Sequence, residues 1–282
     1  GDVHLPQVAW GGASTMMRRN FLASGAVASL AAGAGAATPA APARSPVVLV
    51  HGAWHGGWCW QRVTPLLIAA GHPVYTPTLT GLGERAHLAR PDIDLDLHTR
   101  DLQAMLEMED LHNVVLVGHS YAGFLISMLA ERVRPRLRQL VYLDAFVPDD
   151  GKSLLDYIQP PERRAALLKS GRETGYAAAV PLAALGVVKA EDLAWAQPRI
   201  TPQPFASMEQ PVRLTQPAGN GMPRAFVSCT QPASGSFGQF AAKVRNDPNW
   251  QFHELATGHD AMITNAPLLA ELLLAIARGA PR

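Results

Sequence analysis

The sequence of 282 residues contains only two cysteines, almost no net charge and no convincing membrane-spanning segment. Its formal net charge of +1 argues against nucleic-acid binding, which needs Lys and Arg clustered opposite phosphates. The weakly apolar stretch that ends near Ala37 is rich in Ala and Gly, and it is too short and too weakly apolar to span a bilayer. We therefore expect no nucleic-acid partner and no membrane span, in a monomer or homodimer.

The first 43 residues resemble an export signal. Met17-Arg18-Arg19 precedes an apolar run rich in Ala and Gly, and Ala34-Gly35-Ala36 and Ala41-Pro42-Ala43 each offer a small-residue cleavage pattern. This order is typical of a twin-arginine signal and predicts a periplasmic or secreted protein, a disordered tail being the alternative. An exported protein could pair Cys59 with Cys229, but their apolar surroundings favour two buried free thiols.

From residue 44 onward, short β-branched runs alternate with longer amphipathic segments. This pattern predicts an α/β fold in one domain over 44–282, with a mostly parallel sheet of about six strands flanked by helices. The predicted strands are 46–50, 72–76, 113–118, 137–144, 224–229 and 250–255. The predicted helices are 58–70, 97–108, 121–133 and 267–278. Residues 148–223 are rich in Pro, Ala and Leu, with short helical pieces at 161–169 and 190–196, and they predict an inserted helical lid.

The segment Gly118-His119-Ser120-Tyr121-Ala122-Gly123 lies between a predicted strand and a predicted helix. A nucleophile elbow needs this context, because a sharp and strained turn projects the serine hydroxyl above the sheet. Ala122 stands where the G-x-S-x-G motif has its second glycine, but Ala is small and Gly123 follows it. We predict Ser120 as the nucleophile, a structural Gly-rich turn being the alternative.

A second Gly-rich turn, His51-Gly52-Ala53-Trp54-His55-Gly56-Gly57-Trp58, follows the first predicted strand. Together with the elbow, Ala70-Gly71-His72, Phe146-Val147-Pro148 and Gly258-His259-Asp260-Ala261-Met262, it resembles the α/β-hydrolase superfamily. Within that superfamily the resemblance is to plant methylesterases and hydroxynitrile lyases and to their bacterial carboxylesterase relatives, some of which hydrolyse pyrethroids. The resemblance covers residues 47–276, apart from the lid.

The resemblance implies that the backbone N–H groups of Ala53 and Tyr121 form an oxyanion hole. Two such donors typically contribute a few kcal/mol each to transition-state stabilisation. The resemblance implies no cofactor. We expect no metal either, because His51 and His55 lie in a loop without a third ligand at a recognisable spacing.

His259 lies in a short polar loop between the last predicted strand and the last predicted helix. This late position is where α/β-hydrolases place their base. A serine hydroxyl is a poor nucleophile unless an imidazole accepts its proton and later returns it to the leaving group. We predict His259 as the general base.

The catalytic acid is where the sequence departs from the plant relatives, which carry an aspartate in the loop after the penultimate strand. Here that loop, 229–234, has no carboxylate. Asp144 stands instead at the carboxyl end of the strand after the elbow helix, and such strand ends face the active site. We predict Asp144 as the acid, with Asp149, Asp247 and Asp260 as alternatives. It could also simply cap the first turn of the lid.

Two positions distinguish hydrolysis from cyanohydrin cleavage in the resembled branch. The lyases carry threonine where this chain has Gly52 and lysine where it has Asp260, and a cation is needed near the leaving cyanide. We therefore expect a serine carboxylesterase that hydrolyses small to medium apolar esters through an acyl-enzyme intermediate. The alternatives are amide hydrolysis, a hydroxynitrile lyase and a non-catalytic protein of the same fold that binds a small molecule.

Substrate choice is expected to depend on the lid and on the first Gly-rich turn. The candidate substrate contacts are Trp54, Leu154, Tyr157 and Trp195, which could line an apolar pocket. They could equally be ordinary core residues of the lid.

Overall fold

The computed structural model describes residues 44–219 and 221–279. The export signal predicted over residues 1–43 lies outside the described residues and stays a prediction. The strands in the described ranges are β1 Val47–Val50, β2 Val74–Tyr75, β3 Val114–His119, β4 Leu137–Leu143, β5 Tyr176–Ala177, β6 Gln203–Pro204, β7 Arg224–Cys229 and β8 Gln251–Leu255.

Six of these strands form one sheet in the order β2-β1-β3-β4-β7-β8. Every neighbouring pair in this sheet runs parallel. Parallel pairing places the carboxyl ends of the strands at one edge, where a site can be assembled from several loops. The predicted α/β fold with about six mostly parallel strands is confirmed.

Alternate residues of the central strands enter two separate apolar cores. In β1, Val48 and Val50 join one core while Val47 and Leu49 join the other. Strands that are buried on both faces appear in sequence as continuous apolar runs, as these do.

The helices in the described ranges cover the two faces of the sheet and build the lid. They are α1 Thr64–Ala69, α2 Leu95–Met108, α3 Ala122–Arg132, α4 Pro161–Thr174, α5 Ala190–Ala196, α6 Ala206–Glu209, α7 Gly238–Val244, α8 Ala261–Thr264 and α9 Ala266–Ala277. Among the described residues, no helix has both the length and the apolar character needed to cross a bilayer.

The helix predicted over 58–70 is wrong in its first half. The chain forms a 3-10 turn at Gly57–Trp60, and α1 begins only at Thr64, because Pro65 fits the first turn of a helix but not its interior. The helix α2 begins two residues earlier than predicted. Its N-cap is Asp94, whose side chain accepts a hydrogen bond from the Leu97 N–H.

The lid contains the helices α4, α5 and α6 and also an antiparallel pair of short strands, β5 and β6, which the sequence did not predict. Trp54 attaches this insertion to the turn after β1. Its indole N–H donates to the Ala177 carbonyl at 3.0 Å, and its backbone carbonyl accepts from the Thr201 N–H at 3.0 Å. The lid is therefore fastened directly to one of the turns that carries site residues.

Cys59 and Cys229 are both buried free thiols, as the sequence indicated. Burial raises the pKa of each thiol well above its ordinary value. Because the thiolate is the reactive form, both side chains are inert packing groups.

Candidate active site

The serine of the predicted nucleophile elbow lies in a strained turn between β3 and α3. Ser120 has φ +55°, a left-handed conformation that non-glycine residues seldom adopt. Its backbone N–H donates to the Leu143 carbonyl at 3.2 Å, and its carbonyl accepts from the Gly123 N–H at 3.0 Å. These bonds hold an unfavourable conformation in place, and such outliers are concentrated at functional sites.

Two glycines in this motif are required by packing. A Cβ at Gly118 would lie 2.9 Å from the Ile126 side chain, and one at Gly123 would lie 1.9 Å from the Phe146 carbonyl oxygen. The methyl group of Ala122 is fully buried and accommodated. The close backbone approach therefore lies one residue later than in G-x-S-x-G, which explains why alanine is tolerated at 122.

Asp144 and His259 meet beneath the lid. The Nδ1 atom of His259 lies 2.7 Å from Oδ2 of Asp144, and both side chains are buried. A carboxylate only accepts hydrogen bonds, so Nδ1 carries a proton, and Nε2 is the ring nitrogen left to exchange a proton with a nearby hydroxyl. The second carboxylate oxygen accepts from the Cys229 N–H at 3.2 Å. Cys229, the first residue of the loop 229–234, thus supplies a backbone N–H that helps to hold Asp144 in place.

The other predicted acids have different partners. Asp149 lies at the surface in an ion pair with a lysine, and Asp247 accepts hydrogen bonds within its own turn. Asp260 is fully buried and pairs with a different histidine. Of the four candidates, Asp144 is the one that contacts the ring of His259.

The ring of His259 lies between two other rings. Phe237 stacks on it at 4.5 Å between centroids with an interplanar angle of 14°, and His119 lies at 4.4 Å. The Nε2–H of His119 donates to the His259 carbonyl at 3.0 Å. Burial, and then the neighbouring His259, hold the pKa of His119 well below its ordinary value, so His119 is a neutral support.

Ser120 and His259 line the same cavity. In the described part of the chain, no hydrogen bond joins the Ser120 hydroxyl to the His259 ring. Catalytic hydrogen bonds are often long in ligand-free enzymes and tighten when substrate binds. The structure thus brings the two predicted residues into one site without forming their direct contact.

Ala53 and Tyr121, the predicted oxyanion donors, also line this cavity. A buried histidine orients the first of them, a role that the sequence did not reveal. His51 donates from Nδ1 to the Gly52 carbonyl at 2.8 Å and accepts from the Leu79 N–H at 3.1 Å. Because carbonyl and N–H of a trans peptide point in opposite directions, this bond directs the Ala53 N–H away from His51. Burial lowers the pKa of His51 to about 3, so the ring is neutral.

His55, which lines the same cavity as Ser120, forms a buried ion pair with Asp260. The ring donates from Nε2 to Asp260 at 3.0 Å and from Nδ1 to the Ala53 carbonyl at 2.7 Å. Since both partners only accept, the ring is doubly protonated. Burial alone would lower the pKa of His55, but the charge of Asp260 holds it above its ordinary value. Burial alone would raise the pKa of Asp260, and His55 holds it below its ordinary value.

The lining of the cavity is mostly apolar. Two of the predicted substrate contacts, Trp54 and Leu154, lie in its wall. The other apolar lining side chains are Phe146, Ile158, Leu185, Met208 and Phe237. Arg163 of α4 is also in the wall, and the sequence did not single it out.

The remaining two predicted contacts lie elsewhere. Tyr157 packs against Phe146 and Phe240, at 6.2 and 5.1 Å between ring centroids. Trp195 packs edge-on against Trp58 at 5.3 Å. Neither belongs to the cavity wall, so their assignment to substrate binding stays a prediction without a place in this cavity.

One trio in the described residues could in principle hold a cation, since ligand atoms of His119, His259 and Asp260 lie within 4.8 Å of one another. Each side chain already uses one of its two polar atoms in a protein hydrogen bond. These bonds also maintain the ring orientations described above. We therefore regard the trio as a hydrogen-bonded support for the site.

The chain matches the alpha/beta hydrolase family over residues 47–272. It is 39% identical over 238 residues to a carbendazim hydrolyzing esterase from Nocardioides sp. (strain SG-4G), which covers 81% of this chain and 98% of that protein. It is 38% identical over 105 residues to salicylic acid-binding protein 2 from Nicotiana tabacum, covering 36% of this chain and 40% of that protein.

Solved structures show the same fold. An extracellular α/β-hydrolase from a Paenibacillus species aligns with a TM-score of 0.72 at 22% identity, covering 82% of this chain and 98% of that one. A pyrethroid hydrolase from Sphingobium faniae JZ-2 aligns with a TM-score of 0.64 at 23% identity, covering 84% and 98%. With a family match along most of its length and a full-length relative, this chain belongs to the alpha/beta hydrolase family.

Proposed function

We propose that this chain is a carboxylic ester hydrolase in which Ser120 is the nucleophile, His259 the general base and Asp144 the acid. One observation carries the proposal. A serine in a strained left-handed turn shares a cavity with a histidine whose Nδ1 donates to a buried carboxylate 2.7 Å away. The relatives named as esterases and hydrolases support hydrolysis of an ester.

Acylation begins when the Ser120 hydroxyl attacks the ester carbonyl carbon and gives its proton to Nε2 of His259. The Ala53 and Tyr121 N–H groups then stabilise the negative oxygen, and each such donor is typically worth about 10²–10³ in turnover. Asp144 stabilises the imidazolium, which protonates the departing alcohol. Deacylation repeats the sequence with water as nucleophile and releases the acid.

Two contacts favour hydrolysis over cyanohydrin cleavage. A Cβ at Gly52 would lie 2.9 Å from Nδ1 of His119 and 3.0 Å from Cβ of Ser120, so a threonine there would displace the nucleophile or its neighbour. Asp260 is engaged by His55, and its position supplies no cation for a leaving cyanide.

The substrate class we propose is small to medium apolar esters. The lining of the cavity is mainly aliphatic and aromatic, which favours ligands with apolar bodies. Two relatives are named for the hydrolysis of carbendazim and of pyrethroids, and these names are consistent with apolar ester substrates.

A panel of p-nitrophenyl esters of increasing acyl length tests the proposal. Turnover should pass through a maximum at short to medium chains and should be abolished in Ser120→Ala. The matched control is Ser170→Ala on the lid helix α4, which should retain turnover. Hydrolysis of anilides at comparable rates would favour amide substrates, and a folded protein that turns over no ester would favour a binding protein.

A further inference from the structure

Arg163 is a cationic residue that lines an otherwise mostly apolar active-site cavity. It projects from the first turns of α4, in the lid. The other charged group in the wall, His55, is neutralised by Asp260 at 3.0 Å. Arg163 has no carboxylate within 4.0 Å among the described residues, so its charge is the one in this wall that lacks a counter-ion.

The guanidinium of Arg163 also lacks hydrogen-bond partners. Its Nε is buried, with no acceptor in the described part of the chain. Its neighbour Arg164 differs, because Nε of Arg164 donates to the Leu155 carbonyl at 2.9 Å. Burial lowers the pKa of Arg163, and no nearby acid opposes that shift. The side chain is thus partly desolvated, and its buried Nε donor has no acceptor from the described residues.

Buried donors in native proteins are nearly always paired, and an unpaired one demands an explanation. A guanidinium is the side chain whose planar fork matches a carboxylate through two parallel N–H bonds. An acceptor that arrives with the substrate would satisfy both the missing hydrogen bond and the missing counter-ion.

We infer that Arg163 is a specificity-determining residue that binds a carboxylate on the substrate, away from the bond that is cleaved. The preferred substrates are then esters with a mostly apolar body and one anionic group. This inference rests on the proposed function and narrows its substrate class.

Two matched pairs of esters test the inference, since the carboxylate could lie in either half of the substrate. Monomethyl glutarate is compared with methyl pentanoate, and the acetate ester of hydroxybutyrate with butyl acetate. Acid release is followed by titration at constant pH for the wild type and for Arg163→Gln. The ratio of kcat/KM for the carboxylate ester to that for its neutral partner should fall at least tenfold in Arg163→Gln for one pair.

Two further variants make the comparison specific. Arg163→Lys keeps the charge but loses the planar fork, so it should retain an intermediate ratio. Arg172→Gln, at an exposed position on the same helix, should keep the wild-type ratio. Equal ratios in the wild type and in Arg163→Gln for both pairs, with all four esters hydrolysed, would overturn the inference and leave the proposed function standing.

A binding measurement separates the two proposals if no ester is turned over. Monomethyl glutarate and the acetate ester of hydroxybutyrate are titrated by calorimetry into Ser120→Ala and into Ser120→Ala/Arg163→Gln. One of the two should bind at least tenfold more weakly to the double variant. Equal affinity of both ligands for both variants would refute the carboxylate site, whatever the outcome for hydrolysis.

Discussion

Asp144 and His259 are separated by 115 residues in the chain, and their side chains meet at 2.7 Å under the lid. Asp144 has φ +40° at the end of β4, and its backbone N–H donates to the Val227 carbonyl at 2.7 Å. The contact therefore depends on the parallel pairing of β4 with β7 and of β7 with β8, which brings the end of β4 near the loop after β8 that carries His259.

Asp144→Asn should lower kcat by about 10⁴ without unfolding the protein, because an amide can donate to Nδ1 and favour the wrong tautomer of the imidazole. Steady-state kinetics and circular dichroism check the two parts of this prediction. Asp149→Asn, at an exposed ion pair, is the matched control. Full activity in Asp144→Asn would assign the acid elsewhere.

The buried pair of His55 and Asp260 should be strongly coupled in stability. Asp260→Asn leaves a buried imidazolium without its counter-ion, which should cost about 3–5 kcal/mol in the free energy of unfolding. The double variant His55→Gln/Asp260→Asn removes both charges and should regain part of that loss. Urea unfolding of the wild type, His55→Gln, Asp260→Asn and the double variant gives the coupling energy, and additive effects would show that the pair is not charged.

Substitutions at two adjacent positions of the elbow should have effects of very different size. Gly123→Ala places a methyl group 1.9 Å from the Phe146 carbonyl oxygen, so the backbone must move and activity should be lost. Ala122→Gly restores the usual motif and should change stability by about 1 kcal/mol or less. Thermal unfolding and ester turnover distinguish the two variants. Normal turnover in Gly123→Ala would show that the approach to Phe146 is not as close as described.

The strands and the elbow were predictable because their signals are local. Buried parallel strands are continuous apolar runs, and β3 lies within one residue of its predicted bounds. The predicted α/β fold followed from this pattern, as did the position of Ser120 between strand and helix. The end of β4 was likewise predictable as part of the active-site edge, and the structure places Asp144 there against His259.

The features that the sequence did not reveal are contacts between distant segments. His55 and Asp260 are 205 residues apart, and nothing near either residue indicates the other. The lid strands β5 and β6 have two residues each, too few to show a period. Arg163 looks like an ordinary surface residue of a helix, and only the folded lid places it in the cavity wall.

The buried neutral ring of His51 predicts a loss of stability in acid. Its pKa is about 3 in the folded protein against 6.5 ordinarily, so between these values the unfolded chain binds a proton that the folded chain does not. Stability should therefore fall as pH falls through this window, by about 1.4 kcal/mol per pH unit from this residue. The free energy of unfolding, measured in urea at several pH values, should change less per pH unit in His51→Gln than in the wild type.

His98 and His119 are also buried with lowered pKa values, and they add to the same acid sensitivity in both proteins. The difference between the wild type and His51→Gln in the pH dependence of the free energy of unfolding therefore isolates the contribution of His51. His87→Gln, at an exposed position, serves as the control substitution. An unchanged slope in His51→Gln would mean that this ring is not held neutral.

The proposed catalysis depends on Ser120 acting as a nucleophile that His259 activates, and covalent labelling tests this role most directly. A p-nitrophenyl phosphonate should add one group to the protein, and peptide mapping should locate it on Ser120. Labelling should disappear in Ser120→Ala and slow by at least a hundredfold in His259→Ala. A label on another residue, or an undiminished rate in His259→Ala, would contradict the assignment of Ser120 as nucleophile and His259 as its base.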